Sequence, residues 1–292
     1  RIISKVKQEK CFFGEAKMID LIRELLSYSF ILRAFVVGML VALCSALLGV
    51  SLVLKRYSMI GHGLSHVGFG ALSVAMAMNL APLKVSIPVV VIAAFLLLRI
   101  SENSKIRGDA AIALISSSFI AIGVIIASLT TGMNADVYNF LFGSILAMSN
   151  EDVFLSTLLS IIVLLLFIFF YNKIFAVTFD ENFARATGTN VGIYNMMIAL
   201  LTAVTIVVGM RIMGALLISS LIIFPALSSM QIFRSFRGVI ITSAIISMIC
   251  FFFGMIVSYT FDTPAGASIV LVNLFTFIIC YMIGLLPRKV RE

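Results

Sequence analysis

Apolar residues along this chain recur neither at every second position, as in a half-buried strand, nor at every third or fourth, as in an amphipathic helix. They are gathered into blocks of about 20 residues, the length a helix needs to cross roughly 30 Å of hydrocarbon. The blocks run at approximately 29–54, 58–79, 85–100, 109–130, 153–175, 194–210, 213–230, 238–259 and 267–286. The pattern predicts an all-α, polytopic membrane protein with eight or nine transmembrane helices. They form one domain over 29–292, preceded by a cytoplasmic or interfacial segment over 1–28. Within that segment, 17–28 sets Met18, Leu21, Ile22 and Leu25 on one helical face and Asp20, Arg23 and Glu24 opposite, as in a helix lying on the membrane. The charged stretch from Arg1 to Lys17 differs in kind from the rest of the chain, which makes Met18 an expected start, and it shows no cleavable leader pattern.

Composition agrees with the blocks. Of 292 residues, 62% are hydrophobic and only 12% are charged, about half the charged fraction of a soluble domain. The net charge of +8 could suggest nucleic acid. Instead, the basic residues stand in short clusters between apolar blocks, as the positive-inside rule expects of cytoplasmic loops. Lys105 and Arg107, Lys173 and Arg185, Arg234 and Arg237, and the tail with Arg288, Lys289 and Arg291 can all face the cytoplasm. Carried backwards, the alternation puts Lys55 and Arg56 inside and the N-terminus outside, against the preference of Lys5, Lys7, Lys10 and Lys17. Cys11, Cys44, Cys250 and Cys280 stand alone and predict neither a disulfide nor a thiolate metal site. No fixed-period repeat divides the chain, and the longest polar stretch, 176–193, is too short for a soluble domain.

Candidate chemistry is concentrated at three places. SMIGHGLSHVGFG, 58–70, carries both histidines of the protein inside an apolar block. His62 and His66 lie four apart, on one helical face, where two neutral imidazoles can hold one transition metal ion. A lone intramembrane histidine more often serves as a hydrogen-bonding tie between helices; the pairing favours a functional reading. Gly61, Ser65 and Gly68, with Gly63 and Gly70, allow close helix approach, whether for a passage or for packing alone. Positions 62–66 read His-Gly-Leu-Ser-His and lack the glutamate of a His-Glu-x-x-His metalloprotease, which speaks against hydrolysis.

The second place is Asp262 in SYTFDTPAGAS, between two apolar blocks and followed by Pro264 and Gly266. Broken helices line ion paths, and a plain turn has the same composition. The third is AVTFDENFARATGTNVGI, 176–193, with Asp180, Glu181, Ala184 and Arg185 and with Gly188 as a helix C-cap, which also fits a solvated loop helix. Pro225 should kink its block, as a hinge or merely as shape. Arg211 stands between two blocks, free to meet a carboxylate or, as its position favours, to extend to the interface. No Gly-x-x-x-x-Gly-Lys-Ser/Thr loop occurs, so by that route the chain cannot hydrolyse ATP itself.

The order of LLGVSLVLKRYSMIGHGLSHVGFGAL, FDENFARATG, RIMGALLISSLIIFPA and FDTPAGASIVL resembles the zinc/manganese/iron permease family of ABC importers across nearly all of 30–286. The resemblance implies a type II ABC importer-like subunit of the cytoplasmic membrane that is not an enzyme. It also implies a homodimer of permeases, an extracytoplasmic metal-binding protein and two cytoplasmic ATP-binding subunits, with lipid but no nucleic acid as further partners. No cofactor is held permanently; the cargo is a divalent metal, zinc first, manganese or iron otherwise. His66 matches the family histidine in Gly-Asp-x-x-Ser-His, while His62 stands where an aspartate is usual. Asp262, Pro264 and Gly266 match Asp-x-Pro-Ser/Ala-Gly. The match over 179–188 implies a helix seated in the ATPase, with Phe179, Asp180, Glu181, Ala184, Arg185 and Gly188 as coupling residues. A secondary transporter or channel is the rival reading, and it would need no such segment.

Overall fold

The structure, a computed structural model, describes residues 29–103, 108–130, 139–143 and 149–285. The expected segment 1–28, with its interfacial helix, and the basic tail lie outside the described residues. Nine helices take up the nine apolar blocks one for one: α1 (Ser29–Leu54), α2 (Ser58–Ala77), α3 (Pro82–Asn103), α4 (Gly108–Leu129), α5 (Asn150–Phe169), α8 (Val191–Met213), α9 (Ile218–Ile232), α10 (Phe236–Phe261) and α11 (Ala265–Leu285). Two short helices, α6 (Tyr171–Phe179) and α7 (Glu181–Ala186), fill the polar stretch between α5 and α8.

Helix ends follow capping chemistry more closely than hydropathy. α5 begins three residues before its apolar block because Ser149 and Asp152 close a capping box, each side chain accepting from the other's backbone N–H at 3.1 and 3.2 Å. Asn190 and Ser235 cap α8 and α10 by single bonds, their side chains accepting from the Ile193 and Gly238 N–H groups. α1 and α2 end in paired 6→1 and 5→2 bonds, with Arg56 and Asn79 in the left-handed conformation usually taken by glycine.

Seven of the described helices are long and apolar enough to cross a membrane. α2 and α9 are not among them, α9 because it has only 15 residues and α2 because its glycines, serines and histidines dilute it. α2 can be less apolar because it faces protein on nearly all sides: fourteen of its twenty residues are buried, against four on α5. It packs against α4, α3, α8 and α9. Among apolar helices in lipid, such association depends on close packing and interhelical hydrogen bonds, not on apolar burial. Ser247 and Ser243 of α10 accordingly donate to the Ala42 and Ala46 carbonyls of α1 at 2.8 and 3.3 Å.

Glycines on α2 set the spacing. A Cβ at Gly70 would lie 2.6 Å from the Phe119 carbonyl oxygen of α4, whereas one at Gly61 would meet nothing nearer than Ile222 Cδ1 at 3.7 Å. Gly70→Ala is therefore expected to destabilise the bundle by about 1–3 kcal/mol, since backbone must move. Gly61→Ala is expected to be neutral or to stabilise by up to about 1 kcal/mol through helix propensity. Thermal unfolding of the two purified variants in detergent separates these outcomes; equal shifts would refute the packing argument.

Sidedness follows from contacts at the helix ends. Lys55, after α1, bonds Val177 and Glu181, whereas Arg33 near the start of α1 bonds Asn150 at the start of α5. Lys55, Arg56, Lys173, Arg185, Arg234 and Arg237 thus share one end of the bundle, which the positive-inside rule makes cytoplasmic. α1 begins at the opposite, extracytoplasmic end, so the alternation read from the later loops holds for the first span too.

Candidate functional site

On α2 the one-turn spacing brings the two imidazoles together. His66 Nε2 lies 3.1 Å from His62 Nε2, the rings meeting edge to face at 84°. His66 is only 5% exposed, while His62 is half-buried. Ser65 donates to the His62 carbonyl at 2.7 Å, which occupies its hydroxyl within the helix. A Cβ at Gly68 would press on Met210 of α8, and Gly61 faces Ile206 of the same helix. His66 therefore sits inside the bundle, on a helix whose Gly61 and Gly68 meet the last third of α8. His66 Nδ1 is buried with no hydrogen-bond partner among the described residues.

The arrangement suits brief coordination. Two imidazole nitrogens on one tetrahedral zinc ion, each at about 2.0–2.1 Å, are about 3.3 Å apart, close to the 3.1 Å observed. Tight sites add ligands and orient each imidazole through its second nitrogen. Here neither occurs: among the described residues no three His, Cys, Asp or Glu side chains gather at a metal-holding distance.

The structure thus leaves Asp262 apart from the histidines. Asp262 is exposed at the extracytoplasmic end, in the left-handed conformation (φ 53°) that closes α10. Ser258 donates to the Thr263 carbonyl at 2.6 Å, Thr263 and Ser268 share a 2.7 Å hydroxyl contact, and α11 starts directly after Pro264. This is the Asp-Pro-Gly turn that the sequence also allowed. A Cβ at Gly266 would meet the Met213 carbonyl oxygen at 2.2 Å, which holds the turn against the end of α8.

At the cytoplasmic end, Asp180 caps α7 by accepting from the Phe183 N–H at 3.0 Å. Gly188 ends the helix at φ +78°, with open space around it. Ala184 is fully buried between Val177 and Val191 and anchors the segment. Arg185 is exposed, and Phe179 and Phe183 are 62% and 63% exposed, although one side of the Phe179 ring rests on Phe236 of α10; together they make an exposed aromatic face. Glu181 turns inward, where Lys55 Nζ donates to it at 2.7 Å and Asn195 Nδ2 at 3.2 Å. Burial alone would raise the Glu181 carboxyl, but the hydrogen bonds from Lys55 and Asn195 and the attraction of Lys55 and Arg185 outweigh it and hold it below its ordinary value.

Two linkages escaped the linear reading. Lys55, read only as a topology signal, is 4% exposed and tied to α6, α7 and α8. Arg211, expected to extend to the interface, instead pairs with Asp152 of α5 and lies over the Phe140 ring, the two charged side chains 9% and 14% exposed. The interface reading is corrected because a carboxylate 59 positions away in sequence meets the guanidinium before water does. Spacing along a chain carries no signal of such partners.

A bundle of membrane helices around a histidine-bearing central helix, with a helical foot on the cytoplasmic side, defines a multi-pass membrane permease. The family model described as the ABC 3 transport family matches residues 27–284, and the chain belongs to that family. It is 27% identical to the manganese import system permease protein ScaB of Streptococcus gordonii, over 93% of this chain and 99% of that one. It is 28% identical to the high-affinity zinc uptake system membrane protein ZnuB of Haemophilus influenzae, over 86% and 97%. Among solved structures, PsaBC from Streptococcus pneumoniae in complex with Fab superposes with a TM-score of 0.82 at 28% identity, covering 90% of this chain and 95% of that one. The chain is accordingly the permease component of a metal ABC transporter in the cell membrane, a transport component and not itself an enzyme.

Proposed function

We propose that this permease carries a divalent transition metal inward by alternating access, with zinc as the preferred cargo, and that His62 and His66 hold the ion in passing. The observation that carries the reading is the pair of imidazole nitrogens 3.1 Å apart, with no carboxylate gathered beside it among the described residues. Imidazole suits zinc, whereas carboxylate, carbonyl and water suit manganese. Two donors without further ligands suit passage, since an ion must bind well enough to enter and weakly enough to leave. Asp262, at the extracytoplasmic end, would act before the histidines, at entry, and not as a third ligand.

The remaining partners belong to the same proposal. Two ATP-binding subunits would seat against α7 and its neighbours, using Phe179, Arg185 and the exposed Phe183, with Asp180, Ala184 and Gly188 shaping the helix and Glu181 tying it inward. An extracytoplasmic metal-binding protein would deliver the ion, and two copies of the chain would form the pathway. No resident cofactor is required.

Manganese is the second reading, favoured by the relative named for manganese import. Zinc and manganese accumulation in metal-starved cells, comparing the parent chain and His62→Asp with the ATP-binding subunits present, decides between them. Zinc preference in the parent, moved towards manganese by His62→Asp, supports the proposal. Manganese preference in the parent overturns the zinc assignment, and accumulation that persists without any ATP-binding subunit overturns the ATP-driven reading.

A further inference from the structure

We propose that Lys55 is the positioning residue that makes the cytoplasmic foot, α6–α7, and the histidine helix α2 move as one; the inference rests on the ATP-driven reading above. The Lys55 ammonium is 4% exposed. It donates to the Val177 carbonyl at 3.1 Å, to Glu181 Oε1 at 2.7 Å and to Asn195 Oδ1. A lysine has three N–H donors and no acceptor, so these partners, from α6, α7 and α8, saturate it. An ammonium removed from water in this way is strongly disfavoured once a partner leaves. Glu181 therefore cannot be drawn outward while Lys55 stays in place without stranding that charge.

The link from Lys55 to the histidines has no slack. Only Arg56 and Tyr57 stand between Lys55 and Ser58, the first residue of α2. The Arg56 N–H donates to the Val53 carbonyl and the Tyr57 N–H to that of Leu52, while the Ile60 N–H closes back on Tyr57 at 2.9 Å. Arg56 is held at φ 60°, and the ammonium lies 5.8 Å from the Tyr57 ring centroid. Every residue of the link is thus fixed by backbone bonds, and His62 follows one turn into α2. A displacement of α7 is transmitted through the Lys55 ammonium to the turn on which α2 is mounted, and from there to the imidazole pair. Phe179 at the end of α6 and Phe183 on α7 are the exposed aromatics a partner would grip, while Glu181 on the inward side holds Lys55.

The test uses the assembled transporter in membrane vesicles, with zinc as the transported probe and ATP hydrolysis followed in the same preparation. Lys55→Met, similar in length but uncharged, is expected to lower zinc moved per ATP by about tenfold, within the ordinary range of coupling between sites, while hydrolysis stays within about twofold. Glu181→Gln keeps an acceptor oxygen and is expected to lose less. The double variant should be no worse than Lys55→Met, because both changes break one connection. Additive losses, an unchanged zinc-to-ATP ratio, or a parallel fall of both activities with loss of folded protein would each overturn the proposal, the last by assigning Lys55 to scaffold alone. If the parent itself moves zinc without hydrolysis, the ATP-driven reading fails instead, and the two failures are told apart by the parent's own ratio.

Discussion

Arg211→Met should lower the stability of the purified protein by about 3–5 kcal/mol, the usual cost of removing one partner from a buried ion pair. The charges involved are 9% and 14% exposed, so the Asp152 carboxylate left behind gains little from water. Much of the loss would come from that stranded charge and not from the attraction given up. A second change that neutralises it, Asp152→Asn, should therefore restore most of the stability in the double variant while keeping an oxygen for the Ser149 capping box. Thermal unfolding of the three variants in detergent checks this. A double variant as unstable as Arg211→Met would move the stabilisation to the contact of the guanidinium with the Phe140 ring, 5.6 Å from its centroid.

The pair also shows where linear reading stops. All nine apolar blocks became helices, because about 20 apolar residues have no other way to satisfy their backbone in lipid. Gly188 ends its helix and Asp262 closes its turn, because capping and turn chemistry are local. The histidine pair was legible because i and i+4 meet on any helix, and the four quoted segments carried the family. Partners of Arg211 and Lys55 lie 59 and 126 positions away. No periodicity encodes such distances, and each cation by itself reads as an interfacial or inside-positive residue. The same limit applied to Asp262: its type suits a metal, but its place, at the extracytoplasmic end of α10, depends on how the other elements pack. By its apolar block α2 is an ordinary span, and only the assembled bundle shows why it can carry glycines and histidines: protein, not lipid, surrounds it.

Central placement gives the histidines their largest expected effect. His66→Ala should reduce metal uptake by at least roughly 10–100-fold, the loss that removal of even an outer-sphere partner brings at metal sites. His66 is the more enclosed of the two, and the chain holds no third histidine to take its place. Its removal leaves the single imidazole of His62, where a divalent ion finds no second nitrogen. His62→Ala should cost less, since His62 is half-buried and water can reach its position and supply an oxygen. The alanine itself fits the helix, so membrane insertion and melting temperature should stay near the parent values, which separates a transport defect from a folding one. Uptake measured with zinc, alongside ATP hydrolysis, reads the difference. A His66→Ala transporter that moves zinc at the parent rate would make the imidazole pair a tie within α2 and place the metal path on another face of the bundle. Lost uptake with retained folding and hydrolysis would locate the ion's passage at the imidazole pair of α2.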